Sequence, residues 1–99
     1  MKRYLISKLS EINYRISMHE GNANQRLASE AVKIRLLPSN EVPDLFKNEF
    51  NRLLTIIDDT INNLSAPGLR PTRLGSIRNK TAIKYIKLLM DIEEALQQD

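Results

Sequence analysis

The chain predicts an all-α fold, a four-helix bundle, and three observations carry that expectation. Apolar residues recur at spacings of three and four almost throughout, which stacks them on one side of a helix. No stretch alternates apolar and polar residues long enough to make a half-buried strand. The helical stretches are divided by short connectors containing glycine, proline and asparagine, the residues that stop and start helices.

The first helix is expected over about residues 2–19. Leu5, Leu9, Ile12 and Ile16 stack on one face, while Tyr14 and Met18, with Tyr4 near them, point the other way. A second apolar stripe calls for a second neighbour. Around Glu20-Gly21-Asn22 the helix is expected to stop, since glycine suits the position past a helix end and Asn22 or Asn24 suits a cap. The second helix then covers about 22–36, with Ala23, Leu27, Ala31 and Ile34 inward and the two alanines favouring close helix approach. The stripe keeps its phase across Gly21, so one long helix bent there is the alternative.

Leu37 to Pro43 is a connector. Pro43 suits the first turn of a third helix over about 43–64, and Asp44 complements its positive end. Phe46, Phe50, Leu53, Ile57 and Leu64 line its apolar face, widened by Leu54 and Ile61. Residues 65–71, with two prolines and a glycine, form the next connector. The last helix is expected over about 72–97, capped by Thr72 or Ser76, with Ala82, Tyr85, Ile86, Leu89, Ile92 and Leu96 inward and Ile83 and Met90 flanking.

At 99 residues the chain is one domain, 1–99, with no internal repeat. A domain of this size buries roughly 60–70% of its unfolded surface, enough to fold without a staple. There are no cysteines, so disulfides, Cys-based zinc sites and Cys nucleophiles are excluded. The basic start at Met1-Lys2-Arg3 is followed by a stretch broken by Ser7, Lys8, Ser10 and Glu11, not by a secretion signal, and no apolar run reaches membrane-spanning length. The expected location is the cytoplasm, with no membrane partner.

The net charge of +3 is unevenly spread: between Asp59 and Asp91 there is no acid, while Arg70, Arg73, Arg78, Lys80, Lys84 and Lys87 all fall there. At about 100° per residue, Arg73, Lys80, Lys84 and Lys87 share one face of the last helix. Such a stripe suits a nucleic-acid backbone or an acidic protein, or simply a solvated face. No aromatic residue interleaves with it, which argues against a stacking platform for single strands. Arg78 falls in phase with Ala82 and Tyr85, so a buried guanidinium is expected, either in a structural ion pair or in a pocket. Glu30, Glu49 and Asp58 are its candidate partners.

His19, the one histidine, is expected to be a cap near a helix end or a surface residue. The adjacent pairs Asp58-Asp59 and Glu93-Glu94 diverge on a helix and are expected to be solvated. No glycine-rich loop cradles phosphate. No active site is legible, so no catalytic residue, metal ligand or cofactor is expected.

Residues Ile77 to Tyr85 resemble the Arg-Asn…His…Tyr signature of HEPN domains, helical bundles that include RNase toxins. Arg78 and Asn79 match its start and Tyr85 its end, while Ile83 stands where the histidine belongs. The resemblance implies a nuclease fold without its chemistry, or a binding relative. Gly21, Arg26-Leu27, Leu37-Pro38, Val42-Pro43, Phe50 and Arg78 to Ala82, in that order, are similar to short all-helical bacterial proteins of mobile genetic elements, including integron gene cassettes. That resemblance implies an oligomer-forming cytoplasmic protein and brings no catalytic residue.

Taken with the residues themselves, the expectation is a non-catalytic association module, a homodimer. The candidate interface is the apolar surface beyond one stripe on two helices: Tyr4, Tyr14 and Met18 on the first, and Ile83, Leu88 and Met90 on the last. The alternative is nucleic-acid binding through the basic face of the last helix.

Overall fold

The structure, a computed structural model, describes residues 3–64 and 78–98, and within them it is all-α. Its helices are α1 (Arg3–Met18), α2 (Ala23–Ser29), α3 (Ala31–Arg35), α4 (Asp44–Leu64) and α5 (Asn79–Gln97), with a 3-10 turn over Ser39–Glu41. The connector at 65–71, the expected caps Thr72 and Ser76, Arg73, and the side chains of Ile61 and Leu64 lie outside the described residues.

The chain breaks at Gly21; it does not run on as one bent helix. His19 Nδ1 accepts a hydrogen bond from the Gly21 amide at 2.9 Å and fastens the turn between α1 and α2. Asn22 then starts α2 with a reciprocal pair: its Oδ1 accepts from the Gln25 amide at 3.1 Å, and Gln25 Oε1 accepts from its amide at 3.0 Å. This capping box satisfies amide donors that a bare helix start leaves open. Arg26 Nε donates to the Gly21 carbonyl at 2.7 Å and closes the turn. A Cβ at Gly21 would lie 2.5 Å from Gln25 Oε1 and 2.8 Å from His19 Cε1, so either side chain would have to leave its hydrogen bond in the turn.

The second expected helix is two. Glu30, with φ −108° and ψ 11°, leaves the helical region and separates α2 from α3. Its side chain is buried and meets Arg15 of α1 at 3.4 Å, so a tertiary ion pair sits where local propensity alone favoured a continuous helix.

α1 and α2 pack on α5, α3 packs on α4, and α4 closes against α5. The core unites Leu5, Leu9, Ile12 and Ile16 with Leu27, Ala31 and Ile34, then Phe50, Leu53, Ile56 and Ile57, then Ala82, Tyr85, Leu89, Ile92 and Leu96. Each fully buried Leu, Ile or Phe side chain contributes about 1.5–3 kcal/mol relative to exposure. Leu37 and Val42 bury the ends of the first connector against the same cluster. No helix among the described residues is long and apolar enough to cross a membrane.

Candidate functional site

α1 and α5 meet along a seam whose register is set by one buried amide. Asn13, 7% exposed, donates through Nδ2 to the Leu89 carbonyl at 3.2 Å and to Glu93 Oε1 at 2.8 Å. Glu93 also accepts from Gln97 at 3.1 Å; it is half-buried and bonded, where the expectation for the Glu93-Glu94 pair was solvated charge. Tyr14 and Met18 on α1 and Ile83 and Met90 on α5 stand in solvent, 66%, 66%, 57% and 43% exposed. Both pairs stand on helices joined at the Asn13 contact, and Ile83 also lines a shallow groove with Gly21, Ala23 and Arg26. Two residues of the expected interface set belong elsewhere. Leu88 is half-buried against the core, and Tyr4 stands over a cleft between α1 and α3, with Lys8 Nζ 5.8 Å from its ring centre.

The basic stripe is less bare in three dimensions than in the sequence. Lys80, Lys84 and Lys87 are all exposed on α5. Lys84 Nζ reaches Glu49 Oε2 of α4 at 3.2 Å and lies 6.0 Å from the Tyr85 ring centre. Glu49 also accepts from Arg52 at 2.9 Å. Lys84, Lys87, Glu49 and Asp91 line one groove between α4 and α5. The acid that is missing along the segment is therefore supplied by a neighbouring helix and by the next turn.

Arg78 is not buried. It is exposed and occupies the N-cap of α5 with φ −67° and ψ 147°, an extended conformation. Its carbonyl accepts the Ala82 amide at 3.0 Å. The helical phase that placed it inward does not apply, because the described helix begins one residue later. Its three expected partners are engaged by other cations: Glu30 by Arg15, Glu49 by Lys84 and Arg52, and Asp58 by Arg35 at 2.9 Å. Of the HEPN-like residues, Arg78 and Asn79 stand exposed at the start of α5, Asn79 Oδ1 accepting from the Asn24 amide at 3.3 Å. Tyr85 is buried in the core and Ile83 is outside it.

Comparison of the chain with family models, with curated proteins and with solved structures finds no match. Among the described residues no group of three His, Asp or Glu side chains is placed to hold a metal ion.

Of two residues that organise these surfaces, Asn13 is not singled out by the sequence reading and Glu30 enters it only as a partner for Arg78, although a signal exists for both. Asn13 lies four residues after Leu9 and three before Ile16, and Glu30 lies three after Leu27 and four before Ile34. Each is a polar residue in an apolar phase, the pattern that marks a buried polar contact.

Proposed function

We propose that the chain is a cytoplasmic, non-catalytic association module that works as a homodimer, its two copies meeting across the outer side of the α1–α5 seam. The observation that carries this reading is the exposure of Tyr14, Met18, Ile83 and Met90 on two adjoining helices. Exposed apolar side chains that gather on one face mark a surface for a partner. Tyrosine and methionine suit such a surface, one offering a rigid amphipathic ring and the other a side chain that adapts to what it meets. A seam formed by two antiparallel helices is readily self-complementary, as a twofold interface requires. The resemblance to oligomer-forming proteins of mobile elements agrees with it.

Solution mass by light scattering tests the proposal. At micromolar concentration the native chain is expected at twice the mass of one chain, at low and high salt alike. Tyr14→Glu combined with Met90→Glu is expected to give the monomer with unchanged helical circular dichroism. A native chain that stays monomeric overturns the proposal.

A second reading, binding of a nucleic acid or an acidic protein through Arg73, Lys80, Lys84 and Lys87, rests on Lys80 and Lys87. Both are exposed, with no ion pair among the described residues. Lys84 already holds Glu49, which lowers the charge this face offers. Adding a mixed-sequence oligonucleotide in the same experiment decides between the two. A larger complex that salt dissolves, and that is lost on reversing Lys80 and Lys87 to glutamate, supports the second reading.

A further inference from the structure

We propose that the cleft between α1 and α3 is a binding site for a small amphipathic anion, a carboxylate carrying a short hydrocarbon or aryl body. The cleft holds about 240 Å³, lined by Tyr4, Lys8, Glu11, Ile12, Arg15, Lys33, Leu36 and Leu37. That volume lies just below the usual range of ligand pockets, so its occupant is fragment-sized.

The lining divides into an apolar floor and a basic rim. Ile12 and Leu37 are buried beneath, while Tyr4 and Leu36 wall the cleft and remain 57% and 71% exposed. Lys8, Arg15 and Lys33 supply three positive charges against two carboxylates, Glu11 in the lining and Glu30 paired with Arg15. Glu11 reaches Lys8 only at 3.8 Å and Arg15 at 4.0 Å, with all three side chains near half exposure. Pairs this long and wet contribute under about 1 kcal/mol each, so they do not exhaust the attraction of the rim. Lys33 makes no ion pair among the described residues. Arg15 also meets the buried Glu30 at 3.4 Å, while its own side chain stays 43% exposed.

The two halves of the lining specify the two halves of the ligand. An inorganic anion satisfies the rim and leaves Tyr4 and Leu36 in water. An uncharged alkyl chain covers those residues and leaves Lys33 unmet and Lys8 and Arg15 with only their long pairs. A carboxylate head among Lys8, Arg15 and Lys33, with its hydrocarbon against Ile12, Leu36 and Leu37, uses both. The cleft opens on the α3 side of α1, whereas Asn13 of the same helix faces α5.

The test is an NMR titration of the full chain with octanoate at low salt, with octanol and inorganic phosphate as parallel probes. Octanoate is expected to give saturable shifts at Ile12, Leu36 and Leu37, and the other two probes to bind at least about tenfold more weakly. Lys33→Glu and Leu36→Ser, both at exposed positions, are each expected to weaken octanoate about tenfold or more without lowering the thermal midpoint. Lys80→Glu, on α5, is expected to change nothing. Four results overturn the proposal: no saturation, equal binding of octanol or phosphate, shifts centred on Tyr14 and Met90, or cleft variants that bind as the native chain does.

Discussion

Replacing Asn13 by aspartate exchanges one amide nitrogen for an oxygen and keeps every other side-chain heavy atom. In the native chain that nitrogen donates at 2.8 Å to Glu93 Oε1 and at 3.2 Å to the Leu89 carbonyl, from a residue 7% exposed. The substitution turns both contacts into acceptor against acceptor and sets one carboxylate beside another. Losing a hydrogen bond to a charged group costs about 1.5–3 kcal/mol, and an uncompensated buried charge raises such losses to about 3–5 kcal/mol. Glu93 is half-buried, so water moderates the repulsion and the expected loss is about 3 kcal/mol. Leucine at the same position is a contrasting isostere. Asn13 Oδ1 is buried and accepts no hydrogen bond among the described residues, a cost of about 1–3 kcal/mol that a methyl group removes. That gain offsets the lost Nδ2 bonds, and Asn13→Leu is expected within about 1 kcal/mol of native. Urea denaturation followed by circular dichroism measures both, provided the slope is unchanged. Adding Glu93→Gln to the aspartate variant restores a donor across the seam and is expected to recover at least about 1 kcal/mol. An aspartate variant as stable as native, or a double variant no better than the single, refutes the claim that this donor sets the α1–α5 register.

Three further outcomes follow from the same geometry. Gly21→Ala pushes a Cβ against Gln25 and His19 and costs about 1 kcal/mol as the capping box opens, read in calorimetry as a fall of roughly 4–8 °C in the midpoint. Arg15→Ala leaves the Glu30 carboxylate, 7% exposed, without its cation. The loss in urea denaturation is expected at about 2 kcal/mol, below that of a fully buried pair because Arg15 itself is 43% exposed, and Glu30→Gln in the same background recovers most of it. Arg35→Ala breaks a pair at 2.9 Å whose side chains are both 49% exposed, so its effect is under about 1 kcal/mol and vanishes at high salt.

Helical spacing was enough to place most inward residues of α1, α4 and α5, because a period of 3.6 is a local property of the chain. It failed where locality fails. Arg78 was assigned a buried phase that exists only inside a helix, and with ψ at 147° its backbone is outside one. The expected helix over 22–36 divides at Glu30 because a carboxylate there is drawn to Arg15, a partner on another helix. The acid-free stretch through Lys80, Lys84 and Lys87 looked bare because charge was counted along the chain, whereas Glu49 lies one helix away.

The same distinction explains which surfaces were legible. Tyr14, Met18, Ile83 and Met90 each stood off a core stripe in the sequence, so their exposure was readable helix by helix. That their two helices adjoin is fixed by Asn13 bonding to Glu93, 80 positions further on, and no single-segment pattern contains that pairing. The α1–α3 cleft is a stronger case. Lys8 and Arg15 lie on one helix, Lys33 on another and Leu36 just beyond it. In sequence none of them departs from an ordinary solvated face. Their character as a site arises only when the turn at Gly21 and the break at Glu30 fold α3 back beside α1. The capping box and the Arg15–Glu30 pair therefore act on function through position: weakening either should loosen the cleft before it unfolds the core. Gly21→Ala is accordingly expected to weaken octanoate binding by about twofold or more at temperatures where the chain remains helical. Unchanged affinity in that variant would separate the cleft from the turn and refute this coupling.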